Sequence, residues 1–214
     1  VTLATGRNLW EAQDIVKDLG ITLPVILANG AQIYDFSTDG LLYGKNLNFR
    51  EVQEFLKEQV PLSALVSWHD GTQWEHGSVR ELLFHSPGVV MKRLLITLSP
   101  GKKLEDQDDS LFWVFWDGDN QFEITPKRAR KGDGLFQLLI LLSSEAHETV
   151  ALGNDENDIS LLQTSGIGLA VGDAHHALKQ RADGIVPPLI EHPLVKITEW
   201  MSGKLPWERI VIQE

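Results

Sequence analysis

The stretch that most constrains the fold begins at Val150. Residues 150–152 form a short apolar run, which predicts a buried strand of a parallel sheet. Gly153 ends the run, and residues 154–158 carry three carboxylates and two carboxamides before a helical apolar pattern begins at Ile159. A strand, a polar turn and a helix in this order place the turn at the carboxyl end of a strand, where open α/β sheets bind their ligands.

The residue types of this turn support two interpretations. Closely spaced carboxylate and carboxamide oxygens are suitable ligands for Mg²⁺, which is usually held by one or two carboxylates together with substrate phosphate. The same residues are also typical of a helix N-cap followed by a solvated acidic first turn, because Asn and Asp cap helices and acids stabilise helix N-termini. The spacing alone leaves both interpretations open.

Four segments, taken in chain order, resemble motifs of the haloacid dehalogenase superfamily of phosphohydrolases, in its Cof-type phosphatase branch. They are the apolar strand ending in Thr-Gly-Arg (Leu3-Ala4-Thr5-Gly6-Arg7), the turn that leads into the cap domain (Asn29-Gly30-Ala31), the Lys-Gly pair that opens a helix (Arg130-Lys131-Gly132-Asp133-Gly134-Leu135), and the fourth motif in its G-D-x-x-N-D form (Gly153-Asn154-Asp155-Glu156-Asn157-Asp158). Each match is weak alone, but four in order over nearly the whole chain make a strong signal.

The resemblance implies an α/β fold with two domains. Residues 1–34 and 124–214 would form a Rossmann-like parallel-sheet core without its first strand, and residues 35–123 would form an inserted α/β cap domain. The sequence pattern also changes near residue 35, where closely spaced strands rich in aromatic residues replace alternating strands and helices. We expect the tryptophans of this block to pack on a sheet face: Trp68, Trp74, Trp113 and Trp116.

The resemblance also implies a Mg²⁺-dependent phosphomonoester hydrolase that forms an aspartyl-phosphate. Lys131 would be catalytic, bridging phosphate and nucleophile. The phosphate ligands would be Thr5, Gly6, Arg7, Lys131 and Asn157, and the metal ligands would be Asn154, Asp155 and Asp158. Asn154 departs from the commoner pattern, which has Asp at this position, and a neutral carboxamide binds Mg²⁺ more weakly.

One motif of the superfamily is absent from the 214 residues. Family members carry a strand ending in D-x-D-G-T upstream of the Thr-Gly-Arg motif, and its two Asp residues are the nucleophile and the general acid/base. No D-x-D-G-T occurs here, and the nearest D-x-D, at Asp117 and Asp119, is predicted to lie in a hairpin turn. We therefore expect a phosphatase that is incomplete or inactive as given. The alternative is a non-catalytic domain that binds a phosphorylated ligand or a protein partner.

Composition limits the partners. Nineteen basic and thirty acidic residues give a net charge of −11, which argues against nucleic acid and anionic membranes because both are bound mainly through Lys and Arg. A small phosphorylated metabolite, such as a sugar phosphate, is the expected partner. The sequence does not indicate the oligomeric state. The absence of cysteine fits a reducing compartment, and we expect a cytoplasmic protein.

Several local predictions bear on the site. A helix is predicted over residues 134–142, with Lys131 and Gly132 in front of it, and another over residues 174–182. Thr5 is either a phosphate ligand or the N-cap of a helix over residues 8–19, with nothing local to separate the two. Residues 71–74 are predicted to form a strand. The remaining prediction concerns histidines without metal-ligand spacing, which we expect at the surface or in turns: His69, His76 and His85.

Overall fold

The computed structural model describes residues 1–70, 73–84, 91–102, 104, 111–116 and 120–212, and for residues 111–116 it describes the backbone only. The chain divides into two compact units, unit 1 (Val1–Arg130) and unit 2 (Lys131–Glu214). Within the described ranges, no helix has the length and apolar character needed to cross a membrane.

Unit 1 contains three helices and eight strands among its described residues. In chain order they are α1 (Leu9–Asp18), β1 (Val25–Leu27), β2 (Gln32–Asp35), β3 (Gly40–Gly44), α2 (Phe49–Gln59), β4 (Leu65–His69), β5 (Trp74–Ser78), α3 (Val79–Leu83), β6 (Arg93–Thr97), β7 (Leu111–Trp116) and β8 (Gln121–Pro126). Two antiparallel sheets result, one of order β1-β2-β3 and one of order β5-β4-β6-β8-β7.

Strand pairing in residues 1–34 is parallel between Ala4 and β1, as expected for the core, and antiparallel between β1 and β2. The parallel contact within residues 1–34 is a bridge between Ala4 and Ile26. β1 pairs with β2 in the antiparallel sense because Asn29 (φ 54°) and Gly30 (φ 105°) turn the chain back in left-handed conformations. Gly30 cannot be replaced without a shift, since a Cβ there would lie 2.0 Å from the carbonyl oxygen of Arg130.

The five-stranded sheet has one apolar face and one polar face, as strand pleating requires. Its apolar face packs with α2 and α3 in a core whose buried side chains include Val52, Leu56, Val66, Trp68, Leu82, Leu94, Ile96, Phe122 and Ile124. Alternate residues place four buried polar side chains on the other face: His69, Arg93, Glu123 and Thr125. The prediction of sheet packing is therefore confirmed for Trp68.

Three other predictions for this sheet have different outcomes. Of the strand predicted over residues 71–74, Trp74 begins β5 and Gln73 precedes it, and residues 71 and 72 are outside the described part of the chain. Trp74 is half-buried. The side chains of Trp113 and Trp116, and His85 as a whole, are likewise outside the described residues.

His69 is buried, which corrects the expectation of a surface or turn residue. It ends β4, and its ring meets that of Trp74 edge to face with 5.1 Å between centroids. Burial and the neighbouring charge of Arg93 lower the pKa of His69 below its ordinary value of 6.5, although Asp70 and Glu11 act in the opposite direction. His76 is exposed on β5, as expected.

The lowered pKa of His69 predicts a pH-dependent stability. In the unfolded chain this residue takes up a proton as the pH falls through about 6.5, while in the folded chain it stays neutral to lower pH, so unfolding binds a proton and stability declines on acidification. The variant His69→Phe keeps a ring against Trp74 but cannot titrate. We expect its free energy of unfolding, measured in urea between pH 7.5 and 5, to fall less steeply than that of the wild type.

The control for this measurement is His176→Gln, because His176 is exposed. Its slope of stability against pH should match that of the wild type. Equal slopes in all three proteins would contradict the assignment of the acid sensitivity to His69.

Unit 2 has a parallel sheet of order β11-β10-β9 and helices joining its strands. Its described elements are α4 (Lys131–Leu142), β9 (Val150–Gly153), α5 (Ile159–Thr164), β10 (Ile167–Val171), α6 (His176–Lys179), β11 (Gly184–Val186) and α7 (Pro193–Met201). Alternating parallel strands and helices confirm the predicted α/β fold class.

Two helices of unit 2 differ from their predictions. α4 begins at Lys131 rather than at Gly134, so Lys131 and Gly132 lie inside its first turn. Tertiary packing accounts for this start, because a Cβ at Gly132 would lie 2.2 Å from the carbonyl oxygen of Ser160, and only glycine allows α4 to approach α5 this closely. α6 spans four residues rather than nine. The division into a core of residues 1–34 and 124–214 and a cap of residues 35–123 stays a prediction.

Candidate functional site

The first group of predicted site residues forms a turn in unit 1, at residues 5–7, which we call the Thr5 turn. Thr5 is buried, Gly6 is half-buried and Arg7 is exposed. Every backbone carbonyl of the turn accepts a hydrogen bond: Thr5 O from Asn29 N (3.0 Å), Gly6 O from Arg93 Nη1, and Arg7 O from Ala28 N (2.9 Å). The turn is therefore held on its acceptor side by three separate donors.

The hydrogen-bond donors of the Thr5 turn are only partly used within the protein. The N–H of Thr5 donates to Ile26 O at 2.9 Å, and the N–H of Arg7 donates to the hydroxyl oxygen of Thr5 at 3.1 Å. Within the described ranges, no residue accepts a hydrogen bond from the N–H of Gly6 or from the hydroxyl of Thr5. With the exposed guanidinium of Arg7, the turn presents donors and positive charge suited to an anion.

The alternative role for Thr5, as a helix N-cap, is wrong. Asn8 is the N-cap of α1, because its side chain accepts from Glu11 N at 3.0 Å while the Glu11 carboxylate accepts from Asn8 N at 2.9 Å. This capping box fixes the start of α1 and leaves Thr5 in the turn that precedes it.

Three polar residues near the Thr5 turn were not predicted to belong to the site: Asn29, Arg93 and Glu123. Oε1 of Glu123 accepts from Arg93 Nε at 2.6 Å and from Asn29 Nδ2 at 2.8 Å, and all three residues are less than 5% exposed. A sequence signal exists for Glu123, since a charged residue between Phe122 and Ile124 in an apolar strand requires a buried partner. Its partner on β6 could not be identified without the strand register.

The second group of predicted site residues lies in unit 2 and centres on Lys131. Its ammonium lies 2.5 Å from Oδ1 of Asp158 and 3.4 Å from Oδ1 of Asn157, and both the lysine and the aspartate are buried. α4 supplies the lysine in its first turn, and the turn after β9 supplies its partners.

The other oxygen of Asp158 holds the turn itself. Oδ2 accepts from Asn154 N at 2.9 Å and from Asp155 N at 3.2 Å. Asp155 in turn caps the short 3₁₀ helix Glu156–Asp158 and accepts from Glu156 N at 2.7 Å. Capping, one of the two interpretations of this turn, is thus confirmed, while the side chains of Asn154 and Asp155 are exposed to solvent.

The donor set fits a Mg²⁺ ion that takes few protein ligands. No group of three His, Cys, Asp or Glu side chains in the described part of the chain is arranged to hold a metal ion. Asn154 and Asp155 are nevertheless adjacent in the chain and exposed, and Mg²⁺ commonly keeps several waters while bound by one or two protein oxygens and a phosphate. Asp158 suits this role less well, because its two oxygens already accept three hydrogen bonds.

The structure thus brings the predicted residues together in two groups, each inside one unit. Thr5, Gly6 and Arg7 form one, and Lys131 with residues 154–158 forms the other. The convergence of the two groups on one ligand stays a prediction. Asp117 and Asp119 lie outside the described residues.

Comparison with known proteins identifies the family. The sequence profile of the haloacid dehalogenase-like hydrolases matches residues 1–78 and 96–196. The chain is similar to a phosphoglycolate phosphatase of Methanosarcina acetivorans, with 27% identity over 95% of this chain and 83% of that protein. It is also similar to the phosphatase YwpJ of Bacillus subtilis, with 25% identity over 90% of this chain and 84% of the relative.

A solved structure supports the fold. A haloacid dehalogenase-like hydrolase from Bacillus subtilis superposes with a TM-score of 0.78, covering 96% of this chain and 87% of its own, at 22% sequence identity. At this level of identity the likeness concerns the fold alone.

Proposed function

This chain belongs to the haloacid dehalogenase-like hydrolase family, and on that premise we propose that it carries the phosphate site of a Mg²⁺-dependent phosphomonoester hydrolase. The curated relatives reported above are phosphatases. The proposed ligand is a small phosphorylated metabolite, such as a sugar phosphate, in the cytoplasm. The observation that carries the proposal is the Thr5 turn, whose carbonyls are all bonded away while a hydroxyl, an N–H and a guanidinium remain for an anion.

Each residue of the proposed site has a role that its contacts support. The hydroxyl of Thr5 and the N–H of Gly6 would donate to phosphate oxygens, and Arg7 would supply positive charge from the surface. Lys131 would offset negative charge on the phosphate, held in place by Asp158. Asn157 lies within reach of the Lys131 ammonium and would share in binding the phosphate.

The metal would lie at the turn after β9. We propose Asn154 and Asp155 as its main protein ligands. Asp158 would not be the principal ligand, because its hydrogen bonds orient Lys131 and the backbone of the turn. When bound, Mg²⁺ supplies positive charge that offsets the charge of the phosphoryl group. Because Asn154 is neutral, we expect weaker Mg²⁺ binding than with Asp, and the Asn154→Asp variant provides a direct comparison.

The sequence leaves a second candidate function open, which is binding without hydrolysis. A domain with the phosphate turn but no aspartate nucleophile would bind a phosphorylated ligand, or a protein partner, without hydrolysing it. Phosphate binding is common to the main proposal and to the ligand-binding form of this one, so it is the property to test first.

The test is a calorimetric titration of the chain with inorganic phosphate in the presence of Mg²⁺. Thr5→Val removes the hydroxyl with little change of shape, and we expect it to weaken phosphate binding by about tenfold, the loss of one hydrogen bond to a charged group. Thr2→Val is the matched control, since Thr2 lies in the same segment but bonds to Pro24 O. Equal affinities for the wild type and both variants, or no binding by the wild type, would contradict the proposed function.

A further inference from the structure

We propose that Glu123 and Arg93 of the five-stranded sheet are positioning residues for the phosphate donors of the Thr5 turn. The inference rests on the proposed function, because it takes the Thr5 turn to be the phosphate site, and it deepens that function by naming residues outside the recognised motifs. It starts from a chain of contacts within unit 1 that runs from Glu123 through Arg93 to Gly6.

The first step concerns the peptide group between Gly6 and Arg7. In a trans peptide the C=O and N–H point in opposite directions, so fixing one fixes the other. Arg93 Nη1 donates to the Gly6 carbonyl, and on the opposite side of the same peptide the N–H of Arg7 donates to the Thr5 hydroxyl oxygen at 3.1 Å. This hydrogen bond occupies one lone pair of the Thr5 hydroxyl oxygen and leaves its O–H available to donate.

The second step concerns the peptide group between Thr5 and Gly6. Asn29 N donates to the Thr5 carbonyl at 3.0 Å, which directs the N–H of Gly6 away from Asn29. The Asn29 side chain also lies against Gly6, since a Cβ there would be 3.0 Å from its Oδ1. The two donors proposed for phosphate, the Thr5 hydroxyl and the Gly6 N–H, are therefore positioned by Arg93 and Asn29.

The third step is that one carboxylate oxygen of Glu123 accepts hydrogen bonds from both Arg93 and Asn29. Oε1 of Glu123 accepts from Arg93 Nε at 2.6 Å and from Asn29 Nδ2 at 2.8 Å. Arg93 is further fixed by the ring of Trp74, whose centroid lies 5.3 Å from the guanidinium carbon. Hydrogen bonds to a buried charged group are strong, so loss of the Glu123 charge would loosen Arg93 and Asn29 together.

We therefore expect Glu123 to affect phosphate binding indirectly, by positioning the donors of the Thr5 turn. The test uses Glu123→Gln, which keeps the shape of the side chain and removes the charge. Its matched control is Thr125→Val, two residues along β8 on the same face, where a buried hydroxyl without a hydrogen-bond partner among the described residues is replaced by a methyl group. Arg93→Lys is the second variant, because a lysine keeps the positive charge but not the fork that joins Glu123 to Gly6.

The first readout is the ¹H–¹⁵N NMR spectrum without ligand. We expect the amide signals of Gly6 and Arg7 to move in Glu123→Gln and in Arg93→Lys and to stay in place in Thr125→Val. Unmoved signals in both variants would overturn the proposal. This readout does not depend on phosphate binding, so it decides the positioning role even if the proposed function fails.

The second readout is the dissociation constant for inorganic phosphate. We expect Glu123→Gln to weaken binding by about tenfold, and by less than about twofold in a Thr5→Val background, because coupled residues are not additive. A merely structural role would lower the melting temperature and leave the affinity unchanged, and that result would overturn the proposal. If the wild-type protein bound no phosphate, that result would instead contradict the proposed function.

Discussion

Replacing Asp158 with alanine is expected to cost about 3–5 kcal/mol of folding free energy, the range found when one partner of a buried ion pair is removed. The variant would leave the Lys131 ammonium buried without its carboxylate, and it would also remove the acceptor for the backbone N–H groups of Asn154 and Asp155. Urea denaturation of the wild type and the variant measures the difference.

Neighbouring substitutions in the same turn calibrate this result. Glu156→Ala removes an exposed carboxylate and should change stability by less than about 0.5 kcal/mol, while Asp155→Ala removes a cap and should cost about 1 kcal/mol. Lys131→Met should cost less than Asp158→Ala, because Asp158 would keep its two backbone donors. If Asp158→Ala and Glu156→Ala were equally stable, the buried pair would not be holding this turn.

The turn after β9 shows what the sequence can and cannot predict. The apolar run, the glycine and the polar cluster correctly predicted a parallel strand followed by a polar turn and a helix, because these signals are local. The pattern could not show that Asp158 is already bonded to Lys131 and to two backbone N–H groups. Which of several carboxylates remains free for a metal depends on side-chain directions that the residue order does not encode.

Longer-range pairing explains the other differences. Glu123 and Arg93 are 30 residues apart, and only the register of β6 against β8 places them together. His69 was expected at the surface because it precedes Asp70 in a turn-rich stretch, but it ends a central strand on a face that is buried. The early start of α4 at Lys131 reflects close packing against α5, which overrides the low helix propensity of Gly132.

The largest effect is expected on catalysis. We predict that the 214 residues by themselves hydrolyse an aryl phosphate with Mg²⁺ at least about 10⁴-fold more slowly than a chain supplied with an aspartate nucleophile. The reason is that loss of the nucleophile removes the covalent step itself. Thr5, Lys131 and the turn of residues 154–158 would still bind phosphate. Binding without turnover is the expected signature.

A fusion that places a strand ending in D-x-D-G-T ahead of Val1 tests this prediction. Among the described residues β9 is an edge strand, with β10 on one side, so a further parallel strand has a place beside it. Pairing of the added strand with β9 is part of the prediction, because the carboxyl end of a parallel strand there would bring its first Asp level with the turn of residues 154–158. We expect the fusion to hydrolyse the aryl phosphate and the same fusion with that Asp changed to Ala to be inactive.

The control for the unfused chain is Asp158→Ala, which distinguishes true activity from a contaminating phosphatase. Turnover by the unfused chain at a rate similar to that of the fusion, and abolished by Asp158→Ala, would contradict the prediction and show that another residue of the chain acts as nucleophile. Phosphate binding by the unfused chain with no turnover by either protein would favour the second candidate function, a domain that binds a phosphorylated ligand without hydrolysing it. The two functions are thus separated by one pair of proteins, because they share the phosphate turn and differ only in the attacking group.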